Sequence, residues 1–208
     1  MTSEPKFVPE EAAEICPDGA SRLRVRMIDS VGYMVEGAVG ADEDGSPRMV
    51  TTPWFDYEIP MTEAAELGTQ KVMQEHCSIG LVVTTDGTIG DIPRSDYQAA
   101  EERVINELNS IKKPFVVLLN CKNPESPSAS ALASKLTAEY EAPVIAVNCL
   151  ELTQDKIGNI LSQILFEFPI KEVKIDLPGW ITSLAKNHWL RSDVFRKISS
   201  EAKKLRRV

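Results

Sequence analysis

Two rhythms of apolar positions alternate along the chain. Arg22 to Ile28 alternates polar and apolar, as a strand covered mainly on one face does. Ser78 to Thr84, Pro114 to Leu119 and Pro143 to Val147 are short apolar runs that read as buried strands. Between them apolar residues fall at helical spacing: Met61, Ala64, Ala65, Gly68 and Val72; then Tyr97, Ala100, Val104, Leu108 and Ile111; then Leu132, Leu136 and Tyr140, marking a short helix. Ile157, Ile160, Leu161, Ile164, Leu165 and Phe168 form a strongly amphipathic helix that Pro169 terminates. Ser95 with Gln98 reads as a capping box. Strands separated by helices predict an α/β fold with a mostly parallel, doubly wound sheet, and Phe7 to Ile15 can add an edge strand.

Two stretches stand apart. Gly32 to Pro60 shows neither period and holds an acidic cluster (Asp42, Glu43, Asp44) and an aromatic one (Trp54, Phe55, Tyr57), so it reads as a long functional or mobile loop. From residue 170 a short strand, Glu172 to Leu177, and a helix striped by Val194, Phe195, Ile198, Ala202 and Leu205 look like the start of a second unit. The expected division is therefore 1–169 and 170–208.

With 208 residues and 43% hydrophobic content, the chain can bury one full core plus an appendage. Its 31 acidic against 23 basic residues give a net charge of -8, which argues against nucleic acid as a partner. The basic end, Lys203 to Arg207, reads as a solvated helix end. Cys16, Cys77, Cys121 and Cys149 show no metal-ligand spacing and read as reduced thiols of a cytosolic protein. No apolar run approaches membrane-span length.

In a doubly wound sheet, ligands bind at the carboxyl ends of the strands. Those positions here are Asp29-Ser30-Val31-Gly32, Thr85 to Thr88, Asn120 to Asn123, and Asn148-Cys149. In nucleotide hydrolases an Asp-x-x-Gly after a strand serves a purpose: the Asp holds magnesium through water, and the Gly N–H approaches the terminal phosphate. Asn120-Cys121-Lys122-Asn123 stands where guanine-specific proteins carry Asn-Lys-x-Asp. Asn123 cannot accept two hydrogen bonds from a guanine edge as an Asp does, and a lost charged hydrogen bond is worth about 1.5–3 kcal/mol. Tyr33 stands where many GTPases place a water-orienting Gln. The 208 residues contain no G-x-x-x-x-G-K-[ST] phosphate loop. His76 reads as a helix C-terminal cap, His188 as packing beside Trp189, and Arg48 as a solvated loop residue rather than an arginine finger.

Longer motifs make a specific resemblance. Thr2 to Pro9, Asp29 to Tyr33, Thr51-Thr52-Pro53-Trp54, Thr84 to Ile92, and Asn187 to Arg191 are similar to the stage IV sporulation protein A family across essentially the whole chain. The resemblance implies a P-loop GTPase-like fold of the translation-factor class that uses ATP and magnesium. It implies a scaffold that polymerises on the forespore surface in the mother-cell cytoplasm and directs spore coat assembly. Coat proteins and a small forespore-membrane anchor protein are the implied partners, with membrane association through other regions. By the same resemblance Thr2 and Ser3 take part in hydrolysis, Thr2 and Asp29 serve the magnesium ion, and Gly32, Asn120, Asn123, Asn148 and Cys149 bind nucleotide. The expectation is a domain lacking its first strand, phosphate loop and first helix. Its strands ending at Asp29 and Thr84 then either pair directly or leave a gap. Two other readings stand beside this one: a non-catalytic interaction module, and a GTP-binding regulator.

Overall fold

The computed structural model describes residues 7–16, 22–35, 42–43, 45–168, 170 and 172–202. The chain divides into two compact units, Met1–Ile164 and Leu165–Val208.

The first unit is mixed α/β. Its centre is a parallel sheet of β7 (Gly80–Thr85), β8 (Phe115–Asn120) and β9 (Val144–Val147), in that order. The register aligns Thr85, Asn120 and Val147 at the carboxyl edge. Strand β8 is hydrogen-bonded on both sides, and its five apolar residues, Phe115 to Leu119, are all buried. Helix α2 (Arg94–Ser110) packs Ile105 and Leu108 against Val82, Phe115 and Val117. Helix α3 (Pro127–Tyr140) packs Leu136 and Ala133 against Leu119. It begins earlier than its apolar stripe suggests, because Ser126 accepts the Ala129 N–H at 3.2 Å and Pro127 occupies the first turn. Helix α4 (Gln154–Phe166) buries Ile160 and Ile164.

The remaining strands form separate two-stranded pairs. Strand β2 (Leu23–Ile28) pairs antiparallel with β1 (Phe7–Ile15) and stands outside the parallel sheet, a difference from the alternating pattern of the sequence. Its alternation of apolar and polar residues suits such a ribbon, with one face covered, as well as a sheet. Of the two expected outcomes for β2 and β7, direct pairing is not the one observed: among the described residues β7 has a strand partner only in β8.

The supposed loop from Gly32 to Pro60 is a correction. It contains a small ribbon, β3 (Asp42–Glu43) with β4 (Ser46–Pro47), and a hairpin, β5 (Met49–Thr52) with β6 (Phe55–Pro60). The β-branched and aromatic content of residues 49–59 favours strands, and Pro53-Trp54 makes the turn. The hairpin leads into α1 (Met61–Lys71), whose first N–H donates to the Arg48 carbonyl at 2.7 Å, and a π turn, Val72–His76, continues that helix. A second correction concerns the start of α2. Its N-cap is Pro93, and Ser95 Oγ donates to Asp96 rather than closing a capping box.

In the second unit, α5 (Gly179–Ser183) and α6 (Trp189–Ala202) are helical. His188 Nδ1 accepts the Leu190 N–H at 3.3 Å at the start of α6, and its ring stacks on Trp189. Residues 172–177, expected as a strand, form none: Val173 and Ile175 are exposed, and among the described residues no strand lies beside them to satisfy the backbone. The basic end and Pro169 lie outside the described residues.

Candidate functional site

Each strand of the parallel sheet ends in a polar turn, and the turns are tied together. After β7, Thr85 Oγ1 accepts the Gly87 N–H at 3.1 Å, and Asp86 Oδ1 accepts both the Thr88 N–H (2.9 Å) and its hydroxyl (2.6 Å). Gly87 is required here: its φ is +86°, and a Cβ would stand 2.9 Å from the Arg94 backbone nitrogen. Thr88 Oγ1 then accepts the Lys122 N–H at 2.9 Å, joining this turn to the one after β8. Asn120 Oδ1 accepts the Cys149 N–H at 3.0 Å, and Asn148 Nδ2 donates to the Lys122 carbonyl at 3.3 Å, joining the turns after β8 and β9. Asn148 Oδ1 also accepts the Leu150 N–H at 3.1 Å.

Asn120, Asn148 and Cys149, singled out by the rule of strand ends, are thus brought together, and their amides hold loops in place. Asn123 lies exposed beside exposed Lys122, with its own carbonyl accepting the Ser126 N–H at 3.2 Å. Cys121 is fully buried, with Sγ 3.6 Å from the Val147 carbonyl, so the side chain at the second position of this motif cannot lie against a ligand. Burial, then the nearby Asp86 charge, pushes the Cys121 thiol up; burial does the same at Cys149. Neither is set up as a thiolate.

Beneath these turns lies a buried charge network that sequence reasoning missed. Glu101 of α2 is 4% exposed. It accepts from Arg94 at both oxygens, from the Thr84 hydroxyl and from the Tyr140 hydroxyl of α3. Arg94 also donates to Thr84 Oγ1 at 3.0 Å. The network pins the first turn of α2, directly after the β7 turn, to β7 and α3. Arg94 and Glu101 are seven residues apart on one helix face, the local signal available; the Tyr140 partner is tertiary.

The Asp29-to-Gly32 segment follows β2, outside the parallel sheet. Asp29 is exposed just after β2. Gly32, at φ +77°, donates its N–H to Thr69 Oγ1 of α1 at 3.0 Å. Tyr33 is buried with Met73, Val82, Ile105 and Leu108, its hydroxyl donates to Glu107, and Arg103 lies over its ring at 4.5 Å. Burial, reinforced by Glu107, pushes the Tyr33 hydroxyl well above the usual tyrosine range. Thr2 and Ser3 lie outside the described residues.

For a nucleotide, the described residues offer strand-end loops cross-linked by side-chain hydrogen bonds, with exposed Lys122 and Asn123 among them. For magnesium, no cluster of three or more His, Cys, Asp or Glu side chains occurs among the described residues. An ion that keeps its waters and phosphate ligands needs only one or two carboxylates, of which Asp29 can supply one.

A mixed α/β unit with a parallel sheet and cross-linked polar loops at its carboxyl edge suits an ATPase domain of the P-loop NTPase type. The chain belongs to the stage IV sporulation protein A family: the model of that family's ATPase domain matches residues 1–169, and the model of its middle domain matches residues 170–208. Over 208 residues, all of this chain, it is 46% identical to stage IV sporulation protein A of Bacillus anthracis and 44% identical to that of Bacillus subtilis (strain 168). It is 45% identical over 194 residues, 93% of the chain, to that of Clostridioides difficile (strain 630). The chain spans 40–42% of the length of these relatives. No solved structure matches it. Among the described residues, no helix is long and apolar enough to cross a membrane.

Proposed function

We propose that residues 1–169 supply the base-reading loops and the phosphate-responsive segment of an ATP-hydrolysing domain of the translation-factor GTPase-like, doubly wound class. The protein is a morphogenetic scaffold that polymerises at the forespore surface in the mother cell and directs spore coat assembly. Residues 170–208 begin its middle domain. Its partners are further copies of itself, coat proteins and a small membrane anchor protein.

The observation that carries the nucleotide reading is the cross-link of three strand-end loops by Asn120, Asn148 and Thr88. Such loops hold a base in a fixed place at little cost in ordering. Bound magnesium would neutralise phosphate charge and polarise the terminal phosphoryl group. On this chain, Asp29 and Thr2 would hold the ion, the Gly32 N–H would meet a terminal phosphate oxygen, and Thr2 and Ser3 would take part in hydrolysis. Asn123 faces the base edge. It presents one carbonyl acceptor and an amide donor, which suits adenine as well as guanine.

Competition against a fluorescent ATP analogue, with the full-length gene product, tests this. ATP is expected to compete at least as well as GTP. Asn123→Asp is expected to raise GTP affinity about tenfold, by restoring a charged acceptor. An unchanged preference in that variant would remove residues 120–123 from the base site.

A further inference from the structure

The contact at Gly32 bears on that reading. A half-buried backbone N–H needs an acceptor, and here the acceptor is a side chain 37 positions away, the hydroxyl of Thr69. Serines and threonines inside helices ordinarily bond the carbonyl four residues back, as Ser134, Thr137 and Ser162 do in this molecule. The Thr69 hydroxyl reaches out of its helix instead, although the residue is 4% exposed.

Its neighbours point the same way. Glu66, Thr69 and Gln70 lie at i, i+3 and i+4 on one face of α1. Glu66 takes two 2.7 Å hydrogen bonds from Arg103, which covers the Tyr33 ring. Gln70 donates to Glu107 at 3.3 Å, and Glu107 also receives the Tyr33 hydroxyl. Tyr33, the residue next to Gly32, is therefore clamped between α1 and α2, and the clamp aims the Gly32 N–H at Thr69.

We propose that Thr69 is a specificity-determining residue: its hydroxyl competes with the terminal phosphate of a nucleoside triphosphate for the Gly32 N–H, and so sets the relative affinity for tri- and diphosphate. The proposal rests on the nucleotide reading given above. A phosphate oxygen is charged and makes the stronger bond, so it wins when present. It must first displace the hydroxyl, and that exchange lowers apparent triphosphate affinity. A diphosphate has no group to place at Gly32 and leaves the Thr69 contact intact.

The test uses the full-length gene product and measures ATP and ADP affinity together with amide hydrogen exchange at Gly32. Thr69→Val removes the acceptor; ATP affinity is expected to rise roughly three- to tenfold with ADP affinity unchanged. Thr69→Ala is the second variant, should valine fail to pack, with the same expected change. Thr69→Ser keeps the hydroxyl and is expected to keep the wild-type ratio, which a purely structural role would not distinguish. Without nucleotide, the Gly32 amide is expected to exchange slowly in wild type and Thr69→Ser, and faster in the other two. Equal ATP-to-ADP ratios in all four proteins, or equal Gly32 exchange rates, overturn the proposal. A wild type that binds neither nucleotide overturns the nucleotide reading and the competition with it, while slow Gly32 exchange would still report the Thr69 contact on its own.

Discussion

Strands β8 and β6 are both six residues long, and each begins with phenylalanine. In β8 every apolar residue is buried; in β6 only Ile59 is, and Tyr57 is 64% exposed. Composition accounts for part of the contrast, since β6 carries Asp56 and Glu58 on its way to Ile59. Position accounts for the rest. Strand β8 has β7 on one side and β9 on the other, with α2 and α3 over one face, whereas β6, among the described residues, has β5 as its one strand partner, with α1 beside the hairpin. Strand β7 shows the intermediate case. It carries three large apolar residues, Leu81, Val82 and Val83, and with one strand partner among the described residues it leaves Leu81 and Val83 exposed. Burial in this molecule follows the number of neighbours an element has, so its stability belongs to the β7–β9 unit and its two helices rather than to the ribbons before them.

The largest expected effect separates the two regions by a single type of change. Glu101→Ala strips the buried network of its acceptor and leaves the Arg94 guanidinium largely buried without its carboxylate. Breaking a buried pair from one side costs about 3–5 kcal/mol. Glu14→Ala on β1 removes the 3.2 Å pair with Arg22, both side chains of which are more than half exposed. That change is expected to stay within about 0.5 kcal/mol. Urea denaturation of the two variants measures both. Comparable losses would mean that the β1–β2 ribbon carries as much of the fold as the parallel sheet.

A smaller effect tests the state of the same carboxylate. Burial alone would raise the Glu101 pKa; hydrogen bonds from Arg94, Thr84 and Tyr140 outweigh it and hold the carboxyl below the usual range. A carboxyl that is more acidic folded than unfolded stabilises the protein above its unfolded pKa, about 4.3, and loses that contribution as pH falls through the folded value. The stability gap between wild type and Glu101→Gln is therefore expected to be flat from neutral pH to about pH 5 and to narrow below about pH 4. Denaturation midpoints across that range measure it. A gap independent of pH would show that the network does not favour the ionised form.

The same contrast governs what could be read from the chain. Strands β8 and β9 and helices α1 to α4 were legible because a buried element writes its burial into consecutive apolar residues or a helical stripe, and β7 because it carries the same kind of apolar run even where Leu81 and Val83 are exposed. Asn120, Asn148 and Cys149 were legible because strand ends are fixed once the strands are. The β5–β6 hairpin was missed although Phe55, Tyr57 and Ile59 alternate with Asp56 and Glu58, because β5 is short and threonine-rich and the turn, Pro53-Trp54, lacks the usual glycine or asparagine. Ser95 and Gln98 matched a capping pattern, but the Arg94–Glu101 pair and Pro93 decide where α2 begins. Residues 172–177 alternate like a strand but, among the described residues, have no strand to pair with. Thr69 carried no local signal at all, because its partner lies 37 residues away in a segment with no period.

The smallest expected effect sharpens the comparison at its weak end. In the hairpin the Phe55 and Tyr57 rings lie 5.1 Å apart, inclined at 34°, on alternate positions of β6. Aromatic pairs add about 0.5–1.5 kcal/mol beyond the area they bury, and a pair with one ring exposed, on a two-stranded ribbon, belongs at the low end. Tyr57→Ser keeps the strand's backbone bonds and removes the ring contact alone. It is expected to cost no more than about 1 kcal/mol, a fall in Tm of roughly 2–4 °C for a unit of this size. The measurement is thermal unfolding by circular dichroism. A loss of the size that core truncations give, about 3 kcal/mol or more, would require the exposed face of β6 to be packed against another surface in solution, because the contacts within the hairpin cannot supply it.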